Sequence, residues 1–157
     1  MGEGINVIAA AQMLAQNPSI SLDELATATA KWCEKTKLYG ALDTLENLKK
    51  GGRVSGAKAF FASALAIKPI VEIREGKIVE GGKERTRSKA LAFLVEKVKS
   101  AGPITNLAVL HAQCSDLDAF VEQLKGVYSG EIIVGDVGSV IGSHTGIGTM
   151  GVTFHVK

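Results

Sequence analysis

Ser143-His144-Thr145-Gly146-Ile147-Gly148 places an imidazole, hydroxyls and two glycines in a loop between two apolar strand candidates, Ile132 to Val140 and Val152 to Val156. That combination suits the holding of an anion. Glycines let backbone N–H groups come close to a ligand, and His144 and Thr145 add side-chain donors. A second segment, Leu48-Lys49-Lys50-Gly51-Gly52-Arg53-Val54-Ser55, has a related character. Its glycines end a helix, Ser55 opens the next, and the N–H groups from Val54 to Ala57 lie at a helix N-terminus, where anions bind. The plainer reading is helix punctuation, with Arg53 paired to a surface carboxylate.

The other polar residues offer less. His111 closes a strand and His155 sits on the terminal strand, both in structural surroundings, and no histidine has a cysteine or carboxylate at zinc-ligand spacing. Arg85, Arg87 and Lys89 form a basic run, either a solvated surface or a docking patch for an acidic partner or phosphate. Ser55, Ser63, Ser139 and Ser143 lack a nucleophile-elbow pattern, and neither a phosphate-binding loop of the Walker type nor a dinucleotide fingerprint occurs. The readable chemistry is anion holding, not bond breaking, and no metal site or cofactor is expected.

A chain of 157 residues has the length for one domain with a real core. Its 46% hydrophobic and 22% charged residues are those of an ordinary globular protein. A net charge of +2 and 5% aromatics argue against nucleic acid as a partner. No apolar run approaches the ~20 residues of a membrane-spanning helix, and stable membrane insertion is not expected. Cys33 and Cys114 stand far apart beside apolar residues and read as buried free thiols, which suits a reducing cytoplasm.

The elements that must position these residues follow from periodicity. Helices are expected over Ile5 to Ala15, from Ser21 with its capping box through Cys33, over Thr44 to Lys50, from Ser55 through Ala64, over the amphipathic run from Ala90 to Val98, and from Ser115 or Asp116 through Leu124. Strands are expected over Lys37 to Leu42, Ile67 to Arg74 with its hairpin partner Lys77 to Glu80, Ile104 to His111, Glu131 to Val134 and Val152 to Val156. Pro69 points to an edge position or a strand start. The mixture predicts an α/β fold, a mixed β-sheet with helices packed on its faces.

Taken together, the segments carry a resemblance. Leu42-Asp43-Thr44-Leu45-Glu46-Asn47-Leu48-Lys49-Lys50-Gly51-Gly52-Arg53-Val54-Ser55 resembles the signature of the DegV family of bacterial fatty-acid-binding proteins. Ala66-Ile67-Lys68-Pro69-Ile70, Glu75-Gly76-Lys77-Ile78 and Arg85-Thr86-Arg87-Ser88-Lys89-Ala90-Leu91 follow in that family's order, and Gly138 to Gly148 resembles its closing motif. The resemblance implies two α/β lobes around a long-chain fatty acid, with the acyl tail in an apolar tunnel of the C-terminal lobe. It implies a cytoplasmic carrier without catalysis that presents the acid to a fatty acid kinase component for phospholipid synthesis. His144, Thr145 and Arg53 take the head-group positions; Arg85 and Arg87 take the docking positions.

Two features depart from that pattern. The chain starts, near Gly2-Glu3-Gly4-Ile5, at a point well inside a typical member. Residues 1–157 are therefore expected to form the C-terminal acyl-binding domain, with the N-terminal lobe and its carboxylate-holding hydroxyls missing. Ile147 also stands where a proline is usual. Ala57, Ala59, Ala62, Ala64 and Ala66 either leave room for a tunnel or pack a tight helix. The alternative is a phosphotransferase-type domain related to kinases of small hydroxyketones. Against it stands the shortage of acids beside the glycine-rich motif, where Asp136 alone is near. A third reading is an interaction domain docking through Arg85 and Arg87.

Overall fold

The computed structural model describes residues 1–52 and 67–157. Arg53, the helix expected from Ser55 and the alanine series lie outside the described residues. In chain order the elements are α1 (Gly2–Gln16), α2 (Leu22–Lys35), β1 (Thr36–Ala41), α3 (Glu46–Lys50), β2 (Lys68–Arg74), β3 (Lys77–Glu84), α4 (Arg87–Ser100), β4 (Ile104–His111), α5 (Leu117–Lys125), β5 (Ile133–Asp136), α6 (Ser139–Thr145) and β6 (Met150–Val156).

The strands form one six-stranded mixed sheet in the order β3-β2-β1-β6-β4-β5. All neighbours are antiparallel except β4 and β5. The expected α/β fold with a mixed sheet is thus the observed one. Pro69 lies at the start of β2, an internal strand between β1 and β3, so the strand-start reading holds and the edge reading does not. At the other end of β2 the hairpin turns through Glu75 and Gly76, both at positive φ (51° and 71°).

Side-chain alternation splits the sheet into two unlike faces. On one face Tyr39, Ala41, Ile70, Leu107, Val109, Met150, Val152 and Phe154 pack under α4 and α5, which contribute Ala90, Leu91, Leu94, Val98, Phe120 and Leu124. This is the main core. On the opposite face α1 covers part of β1, β4 and β6, with α2 stacked outside it. Leu42, Leu45, Leu48 and Val71 form a second, smaller cluster there.

Caps explain several boundaries. Ser21 and Glu24 form the expected capping box at the start of α2. Thr86 caps α4 by accepting the Lys89 N–H at 3.3 Å. Asp116 occupies the N-cap of α5 but makes no capping bond, because its carboxylate is held by Arg87 instead.

Three expectations need correction. Ser143 to Thr145 belong not to a loop but to the last turn of α6, and the strand before it ends at Asp136 rather than Val140. Cys33 is exposed and Cys114 half-buried, so neither is a buried core thiol. The reason for Cys33 is that α2 lies in an outer layer and buries none of its residues; Leu22 is 81% exposed.

Candidate functional site

On the sheet face opposite α4 and α5 lies a cavity of about 630 Å³. One wall is aliphatic, made by Leu38, Leu42, Leu48, Val71, Ile73 and Ile78. Across from it stand Leu110, Val137, Val140 and Ile141. The floor is the bare backbone of Gly40 and Gly151, and His144, Thr145 and Thr149 supply polar groups at one edge. Val140 and Ile141 are 73% and 58% exposed on α6, so this wall offers apolar surface that the described residues leave uncovered.

The two segments singled out in the sequence meet at that edge. A β-carbon on Gly51 would overlap His144 Nδ1, one on Gly146 would overlap the Asn47 amide, and one on Gly148 would overlap the Asp43 carboxylate. The glycines therefore allow α3 and α6 to lie against each other and hold His144 at the cavity. Gly146 has φ 84° and ψ 169°, a conformation essentially reserved for glycine, and it turns the chain out of α6. The Thr145 hydroxyl donates to the Ile141 carbonyl at 3.1 Å, which commits its one proton and leaves its oxygen lone pairs to accept.

The turn after α6 is fastened at several points. Gly148 N–H donates to the Ala112 carbonyl at 2.8 Å. Arg87 donates to the Gly148 carbonyl at 2.5 Å and grips both oxygens of Asp116, at 2.6 and 2.8 Å. Bonding to Asp116 raises the guanidinium pKa, and bonding to Arg87 lowers that of the Asp116 carboxyl. Asp43 accepts from Lys68 at 2.8 Å and lies 3.6 Å from Arg87. Along the sequence Asp136 alone is an acid near the glycine-rich motif; the fold brings Asp43 against Gly148 as a second one. Nothing local in the sequence marks it, because the contact joins residues more than a hundred positions apart.

Arg87 is thus taken up inside the chain, whereas Arg85 is exposed and borders a smaller polar cleft with Lys68 and Asp43. His111 lies beyond the far wall. Its Nδ1 accepts the Cys114 N–H at 3.3 Å, which leaves Nε2 to face Asp136 Oδ1 at 3.3 Å. His155 is buried beneath α1 and away from the cavity. Among the described residues, no group of histidine, cysteine and carboxylate side chains could hold a metal ion, and no helix is long and apolar enough to cross a membrane.

The class of protein is thus an α/β fold whose mixed sheet has one closed face and one face carrying an apolar cavity with a polar edge, the lining usual for small-molecule sites. The chain belongs to the DegV family, whose family model matches residues 1–157. A DegV domain-containing protein of Streptomyces coelicolor is 38% identical over 157 residues, covering 97% of this chain and 55% of the relative. The structure of a DegV family protein from Thermus thermophilus, described for its fatty acid binding, superposes with a TM-score of 0.87 at 27% identity, over 99% of this chain and 57% of that one. A DegV family protein from Eubacterium eligens, solved loaded with heptadecanoic acid, gives a TM-score of 0.83 at 25% identity, over 98% of this chain and 56% of its own. The chain spans about half the length of the relatives it matches.

Proposed function

We propose that this chain binds a long-chain fatty acid, with the acyl tail in the cavity on the open sheet face and the carboxylate at the edge formed by His144 and Thr145. The observation that carries this reading is the cavity itself. Its volume of about 630 Å³ falls within the ~300–1,000 Å³ usual for small-molecule sites. Its walls are largely aliphatic, and His144, Thr145 and Thr149 stand together at one edge, with the Asp136 carboxylate also on the lining. Each CH₂ moved from water into such a wall contributes about 0.8 kcal/mol. A carboxylate buried without partners would cost several kcal/mol, so it belongs beside the His144 imidazole, and the Thr145 hydroxyl would join it by turning its proton from the Ile141 carbonyl to the carboxylate. Arg53 is proposed as a third head-group contact on the strength of the motif.

The family resemblance extends the proposal. The bound acid is presented to a fatty acid kinase component in the cytoplasm, and the protein performs no chemistry of its own. Of the two docking arginines, Arg85 is the one available, since Arg87 is committed to Asp116 and Gly148. Residues 1–157 act as the C-terminal half of a two-lobed clamp, whose other half supplies further hydroxyls to the carboxylate. A phosphotransferase reading gains little from Asp43, because its carboxylate is already ion-paired with Lys68 at 2.8 Å.

Native mass spectrometry of the purified protein tests the proposal, together with a thermal shift on adding palmitate or oleate. A bound mass matching a fatty acid, or a rise in melting temperature, is expected. No acyl ligand and no shift would refute it. His144→Ala is expected to weaken palmitate binding about tenfold or more, as befits a lost hydrogen bond to a charged group worth about 1.5–3 kcal/mol. Unchanged affinity by calorimetry would remove His144 from the site.

A further inference from the structure

The cavity floor has an unusual composition. Across four neighbouring strands one row of paired residues reads Val71, Gly40, Gly151 and Leu110. All four line the cavity. Adjacent strands are ~4.8 Å apart, so the two glycines open a trough between the flanking Val71 and Leu110 side chains. Bare glycine inside a strand weakens the strand and leaves nothing to pack.

Among the described residues, local packing does not require this at Gly40. Its φ is not positive. Among the described residues, a β-carbon there would meet only Val71 Cγ2, at 3.5 Å, an ordinary contact distance. Gly151 differs, since a β-carbon on it would press on the Tyr39 carbonyl at 3.2 Å. Backbone approach therefore accounts for Gly151, whereas for Gly40 what remains is the space above it, and that space is the cavity.

We infer that Gly40 is a specificity-determining residue that sets how much acyl chain the cavity accepts, at a cost to the stability of β1. The inference rests on the fatty-acid reading above and assigns Gly40 a role within it. A side chain at this position would improve the strand and fill the trough, so its effects on fold and ligand should have opposite signs. Stabilising changes that cost function are expected where a site is kept open.

The test uses Gly40→Ala and Gly40→Val beside the wild-type chain. Each is offered an equimolar mixture of decanoic, myristic, palmitic and stearic acids, and the bound species are weighed by native mass spectrometry. Melting temperatures are recorded without ligand. Gly40→Val should melt at or above the wild-type temperature. Its affinity for stearic acid should fall about tenfold, the effect of displacing roughly two CH₂ groups, and its preference should move to shorter chains. Gly40→Ala should show a smaller shift in the same direction. Wild-type binding with the same preference and affinity in both variants would overturn the role of Gly40 and leave the fatty-acid reading intact. A variant that melts well below wild type would overturn it too, by showing that packing demands the glycine. Absence of any acid on the wild-type protein would instead remove the reading on which the inference stands.

Discussion

His144 and His155 are the same residue type put to opposite uses. His144 is half-buried at a cavity edge; His155 is 2% exposed and fully bonded. Its Nε2 lies 2.9 Å from Asn6 Oδ1, its Nδ1 lies 3.1 Å from Asn106 Nδ2, and its ring stacks on Trp32 with 6.2 Å between centroids. The neutral ring with hydrogen on Nε2 satisfies both partners, donating to Asn6 and accepting from Asn106. Burial lowers the His155 pKa below its ordinary 6.5. The consequence for stability has a definite sign. Above about pH 6.5 both folded and unfolded chains carry a neutral ring, and the group's contribution is constant. As pH falls below that value the unfolded chain takes up a proton that the folded chain refuses. Stability is then lost at up to about 1.4 kcal/mol per pH unit, levelling off once the depressed folded pKa is passed. Denaturant titrations of wild type and His155→Gln between neutral and mildly acidic pH check this. Glutamine keeps one donor and one acceptor but does not titrate, so the difference in slope between the two proteins should vanish above pH ~6.5 and appear below it. Parallel curves throughout would show that His155 is not the titrating group. The sequence made it legible that His155 is structural, because it lies on an apolar strand. Its partner Asn6 was not, since only the docking of α1 on β6 brings the two together.

At the scale of elements, the decisive feature is the contact of α3 with α6. Both helices are short, five and seven residues, and helices of this length are not stable by themselves. Each is held by the other and by the fastened turn from Gly146 to Thr149, where the Thr149 hydroxyl donates to the Gly146 carbonyl at 2.8 Å. Gly146→Ala should therefore act twice, straining a backbone that only glycine adopts freely and pushing against Asn47. A loss of about 1–3 kcal/mol is expected, with fatty-acid affinity falling alongside because His144 moves. Urea denaturation and calorimetry on the same preparation check both effects, and a fully stable variant would show that the turn is not constrained. This geometry also explains what could be read in advance. β4 was legible with its observed bounds, since Leu107-Ala108-Val109 is a continuous apolar run buried on both faces. The α2 capping box was legible because it is local. α6 was not, because Gly142, Ser143, Thr145 and Gly146 have loop-like propensities, and tertiary contact with α3 overrides them. That the two glycine-bearing segments belong together was suggested by the resemblance. That their glycines interlock the helices bearing them was a matter of packing.

The whole molecule is asymmetric across its sheet, and this asymmetry governs how a ligand should change its motions. The α4–α5 face is closed: Leu94, Leu107, Val109, Phe120, Leu124 and Phe154 are each 0% exposed. Among the described residues the cavity face is left open, with α6 burying none of its residues and presenting Val140 and Ile141 to the opening. Elements with few buried contacts open at low free energy, while core elements open only with global unfolding. An occupant of the cavity would supply α6 with the packing it lacks and would add little to α4, which already has its own. A ligand at a hundredfold excess over its dissociation constant raises global stability by about 2.7 kcal/mol, and that increment should appear evenly in amides that exchange through global unfolding. Amides of α6 and the turn to Thr149, which exchange through local opening, should gain up to this same increment because that opening dismantles the site, whereas local openings elsewhere that leave the acid bound should gain none. Hydrogen exchange followed by mass spectrometry, with and without palmitate, distinguishes the outcomes. Protection concentrated in peptides covering Gly138 to Thr149 and in β1 places the acid on the open face. Protection confined to α4 and α5 would place it elsewhere and would contradict the cavity as the binding site.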